Sequence, residues 1–150
     1  MTAPPARWAH AYADLAWPVF PLHARSKHPI LDGGFLRATT DHTDIASWWR
    51  KWPDASIGIA TGIAFDAIDT DTPEALAAFT LHTPLAGPLN KTPKGLHILV
   101  ARTGLRNTRA IRPGIDFRGI GGLIIVPPSI HESGARYEWQ ASPRLPLPAL

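Results

Sequence analysis

Two acidic side chains, separated by one residue, follow an apolar run and could hold a metal ion. Asp69 and Asp71 come at the end of residues 63–68, a run that Gly62 precedes and Pro73 follows, as is typical of a buried strand. Because strand side chains alternate between faces, the two carboxylates would point the same way and repel each other. A divalent cation would relieve that repulsion, and Mg²⁺ is usually held by one or two carboxylates together with substrate phosphates.

The same residues also fit a simpler interpretation. Asp71 could lie in a solvated turn as the N-cap of a helix that begins at Thr72-Pro73-Glu74. Asp before a proline in the first helical turn is a common start of a helix. Taken alone, the spacing favours the cap slightly, so other parts of the chain must decide between a cap and a metal site.

A histidine on a later predicted strand is the next polar exception. Alternation places His97 on the face opposite its apolar neighbours Leu96 and Ile98, and Lys94-Gly95 comes just before. A lone strand histidine is more often a structural residue, bonded to its neighbours. The lead-in favours a functional role, because glycine lets an anion approach the backbone and lysine supplies positive charge.

A third predicted strand repeats this pattern. Asp116 and Arg118 share one face, while Ile115 and Phe117 share the other. The charged pair could be a surface ion pair of little energetic value. An acid for a metal beside an arginine for a phosphate is also what nucleotide chemistry requires. The recurrence on three strands favours the functional interpretation.

Several short elements must bring these side chains together. The pattern predicts an α/β chain of short strands and few helices, with Thr40 or Asp41 capping the second helix and Ile45, Trp48 and Trp49 of that helix facing inward. The strand over 19–22 is expected at a sheet edge, because Pro21 has no N–H to donate. Helices are predicted over 8–17, 41–51 and 72–79, strands over 19–22, 56–60, 63–69, 95–101 and 114–118, and a hairpin from 121–126 that returns through 137–139.

Composition bounds the class of protein. A chain of 150 residues, 45% hydrophobic and 18% charged, is expected to form one globular domain over 1–150, with the proline-rich residues 143–150 as a linker. The absence of cysteine excludes disulfides and thiolate metal sites. No apolar run is long enough to span a bilayer and no signal pattern opens the chain, so we expect a soluble, cytoplasmic protein without a membrane partner.

Basic residues concentrate in the second half of the chain. The net charge is only +3, but a basic stretch contains a single acid, Asp116. Such a stretch favours a polyanionic partner, either nucleic acid or nucleotide. A solvated basic face is the alternative. The stretch consists of Lys91, Lys94, Arg102, Arg106, Arg109, Arg112 and Arg118.

The order of the motifs resembles a known family. Asp69-x-Asp71, then Gly95-Leu96-His97, then Ile115-Asp116 is similar to the three motifs of the archaeo-eukaryotic primase superfamily. The remaining segments resemble its bifunctional primase–polymerase branch, found in phages, plasmids and integrated elements. The family commonly has a second glycine and an arginine before the histidine and an aromatic after it, all missing here. The similar segments are 17–22, 27–29, 33–35 with 38–40, 48–49 with 52–53, 56–62, 126–131, and Gly134, Tyr137 and Trp139.

The resemblance implies a fold and an activity. The fold would be a compact α/β (α+β) core with a mixed, mainly antiparallel sheet and flanking helices. The activity would be template-directed nucleotidyl transfer, with DNA template and primer, dNTP or NTP, and a helicase as partners. Asp69, Asp71 and Asp116 would hold two Mg²⁺ or Mn²⁺ ions, while His97, Arg118 and Lys94 grip the incoming triphosphate.

The resemblance extends to residues nearer both ends. Ser129 and His131 would either line the same pocket or form a structural turn, and Arg25 and Lys27 could close over nucleotide or template. The strand before the acids is usually uninterrupted in the family. Asp66 is therefore expected to be a solvent-facing or turn residue and not a third ligand.

Two rival functions use some of the same features. Haloacid-dehalogenase-like phosphohydrolases also have Asp-x-Asp at a strand end. Their motif requires Thr or Val two residues after the second Asp, where this chain has Pro73. A non-catalytic module of a replication initiator would bind single-stranded DNA or nucleotide through the basic stretch and the six tryptophans. Metal-dependent nucleotide incorporation would separate the primase interpretation from this module.

Overall fold

The computed structural model describes residues 3–150, which form short strands and helices. Every pairing between named strands is antiparallel. This confirms the predicted α+β class with a mainly antiparallel arrangement and flanking helices. The helices are α1 (Pro5–Asp14), α2 (His42–Lys51) and α3 (Pro73–Thr80), with a 3₁₀ turn at Gly34–Arg37. The strands are β1 (Val19–Leu22), β2 (Ser56–Ala60), β3 (Phe65–Thr70), β4 (Leu89–Lys91), β5 (Leu96–Ala101), β6 (Thr108–Arg112), β7 (Ile115–Arg118), β8 (Leu123–Val126) and β9 (Glu138–Ala141).

The first of two compact units comprises the described residues up to Ala60 together with Leu123–Tyr137. Its sheet has the strand order β1-β2-β8. The predicted edge position of β1 is confirmed. One side of this sheet packs Phe20, Leu22, Ile125 and Tyr137 into a buried cluster.

The second unit comprises Thr61–Gly122 and Glu138–Leu150. Its sheet has the order β6-β7-β3-β5-β4-β9, so β3 lies between β7 and β5. One face of the sheet packs against α3 and forms an apolar core. The buried members of that core are Ile68, Ala75, Leu89, Leu96, Ile98, Val100, Ile115 and Phe117, and Leu76, Phe79 and Ala141 pack against them.

The first helix ends three residues earlier than the predicted range of 8–17. α1 ends at Asp14, because Ala16 adopts a left-handed backbone with φ 65°. The Trp17 N–H then donates to the Tyr12 carbonyl at 3.0 Å and closes the helix end. Trp17 is still buried, at 4% exposure, but it lies beyond the helix. The apolar spacing continues to Trp17 although the helical backbone has already ended, and the predicted helix was therefore too long.

The second helix follows its prediction closely. Asp41 is the N-cap of α2, and its Oδ1 accepts hydrogen bonds from the N–H groups of Thr43 at 2.7 Å and Asp44 at 3.2 Å. Ile45 and Trp49 are buried as predicted, whereas Trp48 is only half-buried.

The predicted hairpin from 121–126 to 137–139 is wrong. β8 pairs with β2 in the three-stranded sheet, with Ile57 opposite Val126. β9 pairs instead with β4 in the six-stranded sheet, with Asn90 opposite Trp139. β4 and β6 were not predicted, because β4 has three residues and β6 is exposed along its length, so neither has an apolar pattern.

The alternative interpretation of Asp71 as an N-cap is excluded by the structure. The N-cap of α3 is Thr72, whose Oγ1 accepts a hydrogen bond from the Ala75 N–H at 3.0 Å. The Asp71 backbone N–H donates to the Gly114 carbonyl at 2.8 Å. The side chain of Asp71 is therefore not needed to start the helix.

Replacing Thr72 tests this reassignment. We expect Thr72→Ala to lower the free energy of unfolding by about 1 kcal/mol, because α3 loses its side-chain cap. Thr72→Ser keeps the capping oxygen and should stay near wild type. Urea denaturation of both variants measures the difference, and equal midpoints for Thr72→Ala and wild type would contradict the assignment.

Within residues 3–150, no helix is both long and apolar enough to cross a membrane. The proline-rich residues 143–150 belong to the second unit, where the Pro148 carbonyl accepts a hydrogen bond from the Ala101 N–H at 2.8 Å. Pro146 and Pro148 lie beside Gly87, where a Cβ would be 2.5 Å from Pro148 Cδ.

Candidate metal and nucleotide site

Polar side chains form one row across four neighbouring strands of the second unit. Asp69 on β3 lies directly opposite Asp116 on β7 and opposite His97 on β5. Asn90 on β4 continues the row, because it lies opposite His97. Residues that pair directly across antiparallel strands project from the same face. The row therefore lies on the face opposite the α3 core.

Three carboxylates of this face converge. Asp69, Asp71 and Asp116 each offer an oxygen, and these oxygens all lie within 4.8 Å of one another. Asp69 is buried, Asp116 is half-buried and Asp71 is exposed. The predicted grouping of the acids is therefore present: Asp69 and Asp71 share a face, and strand pairing adds Asp116.

Arg118 ties two of these acids together. Its Nη2 donates to Asp69 Oδ2 at 3.0 Å and to Asp116 Oδ2 at 3.1 Å. The other oxygen of Asp116 accepts from the Ala110 N–H at 2.7 Å. Ala110 has φ 50°, within an irregular pairing of β6 and β7. This bulge turns a backbone donor toward the acid, as bulges beside functional sites often do.

The acids experience opposite electrostatic environments. Burial favours the neutral form of Asp69, but polar contacts with His97 and Arg118 outweigh it and lower the pKa of Asp69 to about 2. Burial, followed by the negative charges of Asp69 and Asp116, raises the pKa of Asp71. Asp69 is therefore ionised at neutral pH, while Asp71 feels the repulsion that a cation would relieve.

The donor set fits a hard divalent cation. Three carboxylates and the single guanidinium of Arg118 leave an excess of two negative charges when all are ionised. Oxygen ligands at this density are what Mg²⁺ and Mn²⁺ prefer. Among the described residues, no other group of three His, Asp or Glu side chains could hold a metal ion.

His97 is held on both sides of its ring. Its Nε2 lies 3.6 Å from Asp69 Oδ1, and its Nδ1 lies 3.0 Å from Asn90 Nδ2. Asn90 is completely buried. It was missed from the sequence because β4 is too short to carry a recognisable pattern. A lone asparagine between Leu89 and Lys91 gave no signal of its own.

The Lys94-Gly95 lead-in forms a tight turn before β5. The Thr92 N–H donates to the Gly95 carbonyl, and the Gly95 N–H donates to Thr92 Oγ1, both at 3.0 Å. A Cβ on Gly95 would be 1.8 Å from the Thr70 carbonyl oxygen, so only glycine fits. Lys94 is exposed on this turn. Glycine is therefore required at position 95 by close packing against the backbone of Thr70.

Asp66 is not solvent-facing, contrary to prediction. It lies within β3, fully buried, on the face opposite Asp69. Its Oδ2 accepts from the Thr103 N–H at 2.8 Å and from Thr103 Oγ1 at 2.6 Å. Asp66 fastens the segment after β5 to the sheet, and it is not among the clustered acids, as predicted.

Four other predicted site residues lie in the first unit. Arg25, Lys27 and His131 line one small pocket. Ser129 is buried, and its Oγ accepts a hydrogen bond from the Ile57 N–H at 2.9 Å. It also lines a cavity of about 510 Å³, together with Arg25. The structural alternative is therefore well supported for Ser129, while Arg25 and Lys27 are exposed and His131 is half-buried.

Comparison with known families agrees with the geometry. A search of curated proteins gave no match. The sequence model of the Prim-Pol family, described as the N-terminal domain of bifunctional DNA primase/polymerase, matches residues 9–150. That match spans both units and includes every residue of the carboxylate cluster. The chain therefore belongs to the Prim-Pol family.

Proposed function

We propose that this protein catalyses template-directed nucleotidyl transfer and acts as a DNA primase and polymerase. The observation that carries the proposal is the convergence of Asp69, Asp71 and Asp116 beside His97 and Arg118, on adjacent strands of a Prim-Pol domain. The whole of 1–150 would act as one catalytic domain. The substrates would be dNTP or NTP, a DNA template and a primer.

The carboxylates would hold the metal. Asp69, Asp71 and Asp116 would bind two Mg²⁺ or Mn²⁺ ions, since their combined charge exceeds what Arg118 neutralises. When bound, such ions would favour deprotonation of the primer 3′-hydroxyl and would neutralise negative charge on the pyrophosphate leaving group. The backbone N–H of Ala110 and the guanidinium of Arg118 keep Asp116 in place.

The cationic and polar neighbours would hold the triphosphate. Arg118 uses Nε and Nη2 for the acids, so the N–H groups of its Nη1 can donate to a phosphate oxygen. His97 lies on the same face, one strand away from Asp69. Lys94, on the exposed turn before β5, would add a mobile point charge. These donors would stabilise negative charge that develops on the phosphates during transfer.

The first unit would bind nucleic acid or nucleotide through side chains around one pocket. Arg25, Lys27 and His131 surround one pocket and are accessible to an anion. The exposed arginines of the β6 region, Arg106, Arg109 and Arg112, would add neutralisation of DNA phosphates. We further propose a role in replicating a phage, plasmid or integrated element, in cooperation with a helicase.

A primer-extension assay tests the proposal. The 150-residue chain is incubated with a primed template and dNTPs or NTPs in Mg²⁺ and in Mn²⁺, and parallel reactions lack primer or contain EDTA. We expect extension that requires the metal. Binding of single-stranded DNA that EDTA does not change, without any incorporation, would overturn the enzyme and favour the non-catalytic module.

A further inference from the structure

A buried asparagine, Asn90, lies in the row of site residues and is neither a metal ligand nor a phosphate-binding residue in the proposed function. Asn90 is fully buried on β4, with His97 opposite on one side and Trp139 opposite on the other. Its neighbour Leu89 points into the apolar core on the α3 face. Asn90 therefore faces the same side as Asp69 and His97. A buried amide in the middle of a sheet needs a hydrogen-bonding reason.

The contact with His97 determines which ring nitrogen carries the proton. The Asn90 Nδ2 lies 3.0 Å from His97 Nδ1. An amide nitrogen can donate but cannot accept, so Nδ1 must accept with its lone pair. The neutral imidazole then carries its proton on Nε2. The amide of Asn90 thus selects one of the two tautomers of His97.

The selected tautomer turns a donor toward the carboxylates. His97 Nε2 is 3.6 Å from Asp69 Oδ1, and His97 is 7% exposed. An N–H at that position can donate to an oxygen anion. It has no lone pair with which to accept a proton or ligate a metal ion. The ring is thereby suited to bind an anionic oxygen next to the carboxylates, and it is unsuited to act as a base.

We propose that Asn90 is a positioning residue that holds His97 in the Nε2–H tautomer. His97 then donates a hydrogen bond to a phosphate oxygen of the nucleotide substrate. This inference rests on the proposed nucleotidyl transfer for the identity of the ligand, but not for the tautomer. Asn90 acts through His97 and contacts no substrate in this assignment.

Nitrogen-15 NMR of the histidine rings tests the tautomer directly on the full chain. Recorded where the imidazole is neutral, the wild-type spectrum should show His97 protonated at Nε2. Asn90→Asp replaces the donor by an acceptor of nearly the same shape, so Nδ1 should become protonated. Asn107→Asp makes the same change at the chain's other asparagine and should leave the His97 signals unchanged. Wild-type His97 protonated at Nδ1 would overturn the proposal, even if Asn90→Asp does not fold.

Substrate binding provides the second measurement. We expect Asn90→Asp to weaken binding of dATP in the presence of Mn²⁺ about tenfold, as losses of such supporting contacts often do. If the protein extends primers, kcat/KM for the nucleotide should fall, since the contact is made in the bound state and is kept during transfer. Unchanged dATP affinity in a variant whose tautomer has switched would overturn the role in binding. A wild-type chain that shows the Nε2–H tautomer without primer extension would refute the proposed function alone.

Discussion

Asp69→Asn and Asp116→Asn are each expected to reduce metal-dependent primer extension by at least about a hundredfold. Each change keeps the side-chain volume and removes one negative charge from the cluster of three carboxylates. The remaining ligands would bind a divalent cation more weakly. Each variant cluster would also present fewer anionic oxygens to the cation. Steady-state extension rates, together with Mn²⁺ titration followed by electron paramagnetic resonance, measure both consequences.

Asp66→Asn is the matched control for this prediction. It makes the same chemical change on the same strand, β3, but on the opposite face, where Asp66 bonds to Thr103. Asparagine can still accept those hydrogen bonds through its carbonyl oxygen. We expect Mn²⁺ binding and extension, corrected for the folded fraction, to remain near wild type. Wild-type rates and Mn²⁺ affinity in both Asp69→Asn and Asp116→Asn would contradict the metal assignment.

Gly95→Ala is expected to destabilise the protein by roughly 3 kcal/mol and to abolish extension. Its Cβ would lie 1.8 Å from the Thr70 carbonyl oxygen and 2.8 Å from the Thr70 carbonyl carbon. These atoms belong to β3, which pairs with β5 at Thr70 and Leu96. The two strands must separate to make room, and the separation moves His97 away from Asp69. Urea denaturation and the extension assay report the two effects.

Gly121→Ala provides the comparison. Gly121 has φ +87°, but a Cβ there would meet nothing within 4 Å. The substitution should therefore cost about 1 kcal/mol, from backbone strain alone. Similar losses of unfolding free energy in the two variants would show that the contact with Thr70 is not what requires glycine at position 95.

The catalytic candidates could be found from the sequence because the alternation of a strand is a local property. Asp69, His97 and Asp116 each interrupt an apolar run with a period of two, so each could be assigned to a face without knowing its partner strand. The predicted opposite faces of Ile115 and Asp116 are confirmed by their burial. The burial of Asp66 could not be predicted in this way, because its carboxylate is satisfied by Thr103, a partner distant in sequence.

Strand partners could not be predicted, because they depend on contacts between distant parts of the chain. β8 and β9 follow one another and looked like a hairpin, yet they pair with β2 and β4 in different sheets. The N-cap of α3 also required the structure. The local pattern indicated Asp71 as the possible cap, whereas Thr72 Oγ1 accepts the capping hydrogen bond and the Asp71 N–H donates to the Gly114 carbonyl.

Residue types and spacing were enough to predict the class of fold, the shared direction of Asp69 and Asp71 at the end of β3, and the order of motifs typical of the Prim-Pol family. Each of these follows from local patterns of residue type and spacing, which can be recognised one segment at a time along the chain. The folded structure was needed to show that Asp116 and His97 flank Asp69 in one row, that Arg118 bridges two acids, and that Asn90 supports His97. Those arrangements depend on strand order and register, which are determined by burying the other face of the sheet against α3.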